Sequence, residues 1–284
     1  MNRIKLILDS TADLTPEVRS HVTVVPLTIH FGDEEYVDGV TIDSRTFYEK
    51  LIESDVLPTT SQATPYVFEE AFREAVADGS QAICITCSSK LSGTHQSAVI
   101  AAEEFEGKVF VVDSRTIALG SAILAEYALE LVQKGLDAQT IVWKLMQKRE
   151  KIRLLAMLDT LEYLKKGGRI SAAAAIAGGI LNIKPVICIE NGEIKMLGKA
   201  RGSRQANNLL VQEIGKAGGV DFAKPVLLGY TGLSDALLNK YIQDSKDLWG
   251  GHMERLPREI VGSVVGTHAG PGAVAVAFFA AETE

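Results

Sequence analysis

The stretch Ala82-Ile83-Cys84-Ile85-Thr86 is a short apolar run rich in β-branched residues, and Ser92-Gly93-Thr94 follows a few residues later. Apolar residues then recur at helical spacing, at Ala98 and Ala101. This order predicts a strand, a polar loop and a helix. Because the N-terminus of a helix carries unpaired N–H groups and the positive end of the helix dipole, we expect the junction to bind a negatively charged oxygen.

The same alternation of strands and helices continues through the first half of the chain. Apolar runs predict strands at residues 4–8, 22–27, 82–85 and 109–112. Helical periodicity predicts helices at residues 43–54, 65–75 and 118–132. The polar, turn-rich segment 31–41 is predicted to be an irregular excursion over the surface. Strand–helix–strand order with short connections predicts an α/β fold, with a mostly parallel sheet covered on both faces, in an N-terminal domain of residues 1–155.

A second domain of α+β type is predicted for residues 156–284. Asn191-Gly192 is the strongest short hairpin signal and calls for antiparallel strands on either side of it, at residues 184–189 and 193–198. An alanine-rich helix is predicted to begin after Ser171 as its N-cap. Further strands are predicted at residues 154–157, 226–230 and 273–279, and further helices at 203–215 and 235–245.

The composition limits the classes of function. A formal net charge of −7 and only 6% aromatic residues, without a basic stripe, argue against nucleic-acid binding. The longest apolar stretches fall short of the roughly 20 residues that span a bilayer, and the N-terminus lacks the pattern of a signal peptide. Three cysteines make no disulfide framework. We therefore expect a cytoplasmic protein with no integral membrane segment.

Cys84 and Cys87 have the C-x-x-C spacing of redox-active or zinc-binding pairs. Both residues fall in or beside the predicted strand, where positions i and i+3 point to opposite faces. Metal or redox chemistry is therefore disfavoured at this pair.

Two further polar clusters lie far from Ser92 in sequence, namely Thr60-Ser61-Gln62 and His268-Ala269-Gly270-Pro271-Gly272. Each lies at the edge of an apolar or helix-starting segment, and together with Ser92-Gly93-Thr94 they predict one anion site. His268 is predicted to lie on a loop, where its neighbouring glycines allow close approach to a ligand. A purely structural histidine, and a Ser92 that only caps the helix, remain equally open.

Other kinds of site are less well supported by the motifs. Ser92 with His95 could be a nucleophile and a base, but no Gly-x-Ser-x-Gly occurs in the chain. The turn Lys165-Lys166-Gly167-Gly168-Arg169 lacks the spacing of a phosphate-binding loop. It can be a solvated surface or a patch that meets an acidic partner.

The loop Asp9-Ser10-Thr11-Ala12-Asp13 follows the first predicted strand. Ligands of open parallel sheets bind at the carboxyl ends of strands, which makes this loop a candidate for a site. Turn formation and capping by the Asp and Ser side chains is the favoured interpretation.

Six motifs, taken together and in this order, resemble the DegV family over nearly the whole chain. They are Asp9-Ser10-Thr11-Ala12-Asp13-Leu14, Thr60-Ser61-Gln62, Ser88-Ser89-Lys90-Leu91-Ser92-Gly93-Thr94, residues 161–170, Ile183-Lys184-Pro185 and His268-Ala269-Gly270-Pro271-Gly272-Ala273. Each motif alone is weak, whereas the joint match is specific.

The resemblance implies a two-domain protein that binds a long-chain fatty acid such as palmitate between its domains. Family members also serve as the acyl-carrying subunit of bacterial fatty acid kinase, in which a separate Dak-type kinase subunit phosphorylates the bound carboxyl group. The chain would then be a carrier in lipid metabolism and lipid transport rather than an enzyme, without a catalytic residue, metal or cofactor of its own. The alternative is a serine-dependent acyl hydrolase or acyltransferase that uses Ser92 and His268.

The family's binding residues carry over by motif. The carboxylate would meet the hydroxyls of Thr60 or Ser61, Ser92 with the N–H groups of Gly93 and Thr94, and His268 beside Gly270. Arg169 and Arg201 match basic positions near the mouth of the site. They contact either the ligand or the kinase subunit.

Overall fold

The protein is described by a computed structural model over residues 3–170 and 182–281. The strands along these residues are β1 (Ile4–Asp9), β2 (Val22–Val25), β3 (Thr28–Phe31), β4 (Glu34–Val37), β5 (Thr59–Ser61), β6 (Gln81–Thr86), β7 (Val109–Asp113), β8 (Ile152–Met157), β9 (Ile183–Glu190), β10 (Glu193–Arg201), β11 (Val226–Tyr230), β12 (Arg258–Ile260) and β13 (Val274–Phe279). The α-helices are α1 (Pro16–Arg19), α2 (Ser44–Glu53), α3 (Pro65–Val76), α4 (Thr94–Ala102), α5 (Leu119–Gln133), α6 (Ala138–Lys148), α7 (Glu162–Lys166), α8 (Gly202–Lys216), α9 (Ala236–Asp244), α10 (Lys246–Trp249) and α11 (Ser263–Ala269). Short 3-10 turns span Glu103–Phe105, Arg149–Lys151 and Gly250–Arg255.

The first half of the chain forms a parallel sheet with the strand order β2-β1-β6-β7. Successive side chains of β1 point to opposite faces of this sheet. Leu6 and Leu8 pack on one face in a core with α5, and Ile7 packs on the other face with Phe68 and Phe72 of α3. The predicted α/β fold, with a parallel sheet covered on both faces, is confirmed.

The prediction for residues 31–41 was wrong. β3 and β4 form an antiparallel hairpin around Gly32, whose φ of +59° suits the turn, and β5 pairs with the other edge of β3. Ile29 and Phe31 are buried. The sequence concealed the hairpin because β4 is polar and largely exposed, so it lacks the alternation that marks a strand. This small sheet holds β5 in place, since Ile29 pairs with Thr60.

The second half forms a mixed sheet with the order β10-β9-β8-β13-β11-β12. The hairpin predicted at Asn191-Gly192 is confirmed, with φ values of 52° and 84° at the two turn residues joining β9 to β10. One face of this sheet is covered by a core that includes Trp249, Phe278 and Leu210. The helix predicted from Ser171 lies outside the described residues.

Helix α5 lies between the two sheets. Leu124 shares one core with Leu8 of β1 and with Ala277 and Phe279 of β13. Residue 155 falls inside β8, which pairs with β9 and β13 of the second sheet. The division into domains at that residue stays a prediction.

Within residues 3–170 and 182–281, no helix combines the length and apolar character needed to cross a bilayer.

Candidate functional site

Three segments that are distant in sequence meet at one end of a single cavity. Thr60 lies on β5, Ser92 and Gly93 directly precede α4, and His268 lies in α11; all four residues line the cavity. The Thr60 hydroxyl oxygen is 2.9 Å from Nε2 of His268, so these two side chains are hydrogen-bonded. The structure thus brings the three predicted polar clusters together.

The N-cap residue of α4 is not Ser92 but the glycine that follows it. Gly93 occupies the N-cap, and the Ser92 hydroxyl accepts a hydrogen bond from the Thr94 N–H (3.2 Å) and lies 2.9 Å from the Thr94 hydroxyl. A Cβ at Gly93 would lie 1.9 Å from Oε1 of Gln62, whose amide donates to Ser97. The cavity therefore meets the donor end of α4 where the end of the Gln62 side chain packs directly on the Gly93 backbone.

His268 does not lie on a loop, as its flanking glycines predicted, but in the last turn of α11. Helix α11 begins at Ser263, without a polar cap side chain that would have marked it in sequence. Burial and, to a smaller extent, the nearby Arg169 guanidinium lower the pKa of His268 from its ordinary 6.5 to about 4. The imidazole is therefore neutral at neutral pH. Among the described residues its Nδ1 has no hydrogen-bond partner.

Helix α7 and the turn after it cover His268. A Cβ at Gly167 would lie 2.1 Å from Nδ1 of His268, and one at Gly270 would lie 2.2 Å from the ring of Tyr163. Gly270 also has a φ of +69°, which disfavours any other residue. These glycines allow the 163–167 backbone to lie directly on the imidazole, which explains its burial.

The two predicted arginines occupy different places. Arg169 lines the cavity and donates from Nε to the Leu91 carbonyl (3.2 Å) and from Nη1 to the Gly167 carbonyl (2.6 Å). Arg201 ends β10, is exposed, and is not among the residues that line the cavity. Of these two arginines, Arg169 is therefore the one placed to add positive potential beside His268.

Three other predicted residues are placed less directly. Ser61 lines the cavity, but its hydroxyl lies 2.9 Å from Nε2 of His30. Neighbouring residues of a strand point to opposite faces, so Thr60 and Ser61 cannot both direct their hydroxyls to one ligand atom. Thr94 and Gly270 are packed behind the residues that line the cavity.

Apart from the residues named above, the cavity lining is mostly apolar, with Thr11 and Thr231 as further polar residues. Its volume is about 400 Å³, within the range of small-molecule sites. One wall is a row of paired positions across four strands, Ile187, Ala156, Ala275 and Gly229, in which three members have little or no side chain. These positions share one face of the sheet, and the small side chains of Ala156 and Ala275 leave room for the cavity above it, whereas Leu119 packs on Gly229.

Sequence reasoning missed most of these apolar residues. The alternating positions Leu154 and Ala156 on β8 and Ile187 and Ile189 on β9 line the cavity. Their alternation was visible as strand periodicity. It could not show which face of the sheet borders a cavity rather than a filled core.

The two cysteines with C-x-x-C spacing are buried, and burial raises the pKa of both thiols well above the ordinary range. Cys84 packs in the core beneath α3 and α4, and the Cys87 N–H donates to Asp9. In the part of the chain that the structure describes, no group of three or more His, Cys, Asp or Glu side chains is arranged to hold a metal ion.

The fold and the cavity define an α/β protein with two large sheets, a small three-stranded sheet, and a mostly apolar cavity with a polar cluster at Thr60, Ser92 and His268. The chain matches the DegV family, described as uncharacterised proteins, over residues 3–281. It belongs to that family. A DegV domain-containing protein of Caldanaerobacter subterraneus subsp. tengcongensis is 35% identical over 283 residues, which cover 98% of this chain and 99% of the relative.

Two solved structures share the fold. One, from Thermus thermophilus, is described as a fatty-acid-binding DegV family protein; it is 31% identical, with a TM-score of 0.86 over 98% of this chain and 99% of the other. The second, from Eubacterium ventriosum, is described as a stearic-acid-binding protein; it is 26% identical, with a TM-score of 0.84 over 98% and 97% of the two chains.

Proposed function

We propose that the chain binds one long-chain fatty acid, such as palmitate, in this cavity. The carboxyl group lies at Thr60, Ser92, Gly93 and His268, and the acyl chain lies over the row of small residues on the six-stranded sheet. The observation that carries the proposal is the lining of the cavity, which is mostly apolar and brings Thr60, Ser92, Gly93 and His268 together. The fatty acids named for the two similar structures support it.

The acyl chain is expected to contribute more to the free energy of binding than the carboxyl group. Burial of an acyl chain contributes roughly 0.8 kcal/mol per methylene, so a sixteen-carbon chain gains on the order of 10 kcal/mol before the costs of association. The polar end adds less, because hydroxyl and N–H donors only replace the water that the carboxyl group loses. The tail therefore supplies affinity and the head sets orientation. Saturable uptake of palmitate by lipid-free protein, at one molecule per chain, tests the proposal.

A carrier fits the polar end better than a serine hydrolase. A catalytic serine needs a base within hydrogen-bond reach, and that base needs a group that orients it. The contacts of the Ser92 hydroxyl are with Thr94, and His95 lies 2.8 Å from the Thr86 hydroxyl. His268 Nδ1, where an orienting carboxylate would bind, has no partner among the described residues. We propose that the chain carries its ligand without chemical change.

We further propose that a Dak-type fatty acid kinase subunit phosphorylates the bound carboxyl group, and that this takes place in the cytoplasm. The sequence motifs support this step. Lys165 and Arg201 are exposed basic residues on a chain of net charge −7, which favours a local docking surface over general basicity. Arg169 is anchored to two carbonyls at the cavity and serves the ligand.

Reversing Arg201 to glutamate is expected to slow acyl-phosphate formation by the kinase and to change its dependence on salt, because rim charges act mainly on association rate. Fatty-acid occupancy should stay at the wild-type level. The matched control is Lys134→Glu, which makes the same change of charge at the exposed end of α5. If Arg201→Glu loses its bound lipid, Arg201 belongs to the ligand site instead.

A further inference from the structure

We propose that Asp9, the last residue of β1, and Asp13, in the loop between β1 and α1, are positioning residues that set the distance between Ser92 and His268. Neither aspartate lines the cavity, and each holds the backbone of a different segment of the polar end. The proposal rests on the proposed function, since it concerns the same carboxyl site. It gives a role to the two aspartates of the motif Asp9-Ser10-Thr11-Ala12-Asp13, in which Thr11 lines the cavity and the aspartates do not.

Asp9 fixes the start of the loop that carries Ser92. Its side chain is 1% exposed. Oδ2 accepts from the N–H of Cys87, the first residue after β6, at 2.6 Å. Oδ1 accepts from the N–H of Thr11 at 3.0 Å and from the Thr11 hydroxyl at 2.6 Å. Both oxygens are therefore occupied, and one of them joins the first loop of the sheet to the loop that leads to α4.

Asp13 fixes the start of the helix that carries His268. Its side chain is 6% exposed, and Oδ1 accepts from the N–H of Gly262, the N-cap of α11, at 2.7 Å. The preceding carbonyl, of Val261, accepts from the Tyr48 hydroxyl at 2.9 Å. His268 lies one and a half turns along this short helix, so a shift at Gly262 moves the imidazole with it.

Helix α11 also has little freedom to move toward α2. A Cβ at Gly266 would lie 2.5 Å from the Tyr48 hydroxyl oxygen and 2.9 Å from the ring of Phe47. Gly266 is two residues before His268. With α11 packed this closely on α2, the bond from Gly262 to Asp13 determines where the helix begins.

The residues between the two aspartates connect further parts of the same site. The Ser10 hydroxyl accepts from the N–H of Leu27, directly before β3, the strand that pairs with Thr60. The Thr11 carbonyl accepts from the N–H of Ala118, a cavity residue with the unusual φ of 55°. One loop thus contacts the segments that carry or support Thr60, Ser92 and His268.

The two aspartates differ in a way that an experiment can use. Asp9 needs two acceptor oxygens, so an amide in its place would set an NH₂ donor against the N–H of Cys87 or of Thr11. Asp13 uses one oxygen, and its Oδ2 has no partner among the described residues. Burial raises the pKa of both carboxyl groups, that of Asp13 well above its ordinary range. An asparagine at position 13 keeps the one acceptor oxygen that the Gly262 N–H needs. Asparagine should therefore replace Asp13 but not Asp9.

The experiment compares Asp9→Asn, Asp13→Asn and Asp13→Ala in palmitate affinity and in the NMR titration of His268. We expect affinity about tenfold weaker or more for Asp9→Asn and Asp13→Ala, and affinity within a few-fold of wild type for Asp13→Asn. In Asp13→Ala the pKa of His268 should move from about 4 toward its ordinary 6.5, because the imidazole leaves its buried place. The matched control is Asp137→Ala, which removes an exposed helix-capping aspartate of α6 far along the chain.

Folded Asp9→Asn and Asp13→Ala proteins with wild-type affinity and an unchanged His268 titration would overturn the proposal. Equal losses for Asp13→Asn and Asp13→Ala would also overturn it. If Asp13→Ala does not fold, Tyr48→Phe tests the same junction, and an unchanged His268 titration there contradicts the proposal. The titration needs no ligand, so it separates a failure of this proposal from a failure of fatty-acid binding, which would appear in the wild-type protein.

Discussion

Replacing Ala275 by leucine is expected to shift the preferred ligand to acids about three carbons shorter. Ala275 lies in the centre of the small-residue row, between Ala156 and Gly229, where a larger side chain enters the channel. If about three methylenes of a sixteen-carbon chain can no longer be buried, the free energy of binding weakens by about 2 kcal/mol, at roughly 0.8 kcal/mol per methylene. Titration of lipid-free protein with saturated acids of increasing length measures the shift.

The control for this variant is Ala236→Leu, the same substitution at an exposed position that begins α9. It should leave both affinity and length preference unchanged. Thermal unfolding of both variants shows whether the added side chain disturbs the fold itself. Undiminished binding of long acids by a folded Ala275→Leu protein would place the acyl chain outside this channel.

Replacing His268 by alanine is expected to weaken binding of the free acid by about 1 to 3 kcal/mol, or roughly five- to 150-fold. The Thr60 hydroxyl loses its hydrogen-bond partner, and the carboxyl group loses a neighbour that can donate to it. Methyl palmitate, which has no acidic head, should bind wild type and variant alike. Equal affinities of the two proteins for palmitate would show that the imidazole makes no contribution at the head.

The same variant has a predicted effect on stability. The pKa of His268 is about 4 in the folded protein and near 6.5 when the chain is unfolded. As pH falls from 6.5 to 4, the unfolded chain therefore takes up a proton at this position that the folded chain does not, and the free energy of unfolding decreases. Without His268 this loss is absent, so His268→Ala should lose less stability than wild type over that pH window in denaturant titrations.

The strands and the central motif could be predicted because local chemistry determines them. Residues 82–86 are buried on both faces and therefore form a continuous apolar run. Asn191-Gly192 supplies the two positive φ values that its turn requires. In both cases the signal lies within a few residues of the element it predicts.

Helix α11 and the β3–β4 hairpin could not be predicted in this way. Helix α11 has seven residues, with Gly262 as its N-cap. The Gly262 N–H donates to Asp13, about 250 positions earlier in the chain. β4 lacks alternation because most of it faces solvent. Such elements depend on tertiary contacts that no local pattern contains.

The residues of the site can be divided in the same way, into those that a local motif predicts and those that depend on tertiary structure. The polar residues are grouped in short motifs, so Thr60, Ser92 and His268 could be proposed together before the structure placed them around one cavity. The apolar channel is assembled from single positions on several strands, and its row of small residues exists only once the strand register is known. Arg201 matched a basic position by sequence, yet it lies outside the residues that line the cavity.

Native mass spectrometry of the wild-type chain purified from bacterial cells tests fatty-acid binding most directly, because a fatty acid buried in this apolar cavity should stay with the protein. We expect one bound fatty acid per chain, with a mass that corresponds to about 14 to 18 carbons, and we expect added palmitate to replace it. Protein that carries no lipid, yields no fatty acid on extraction and does not bind added palmitate would contradict fatty-acid binding in this cavity.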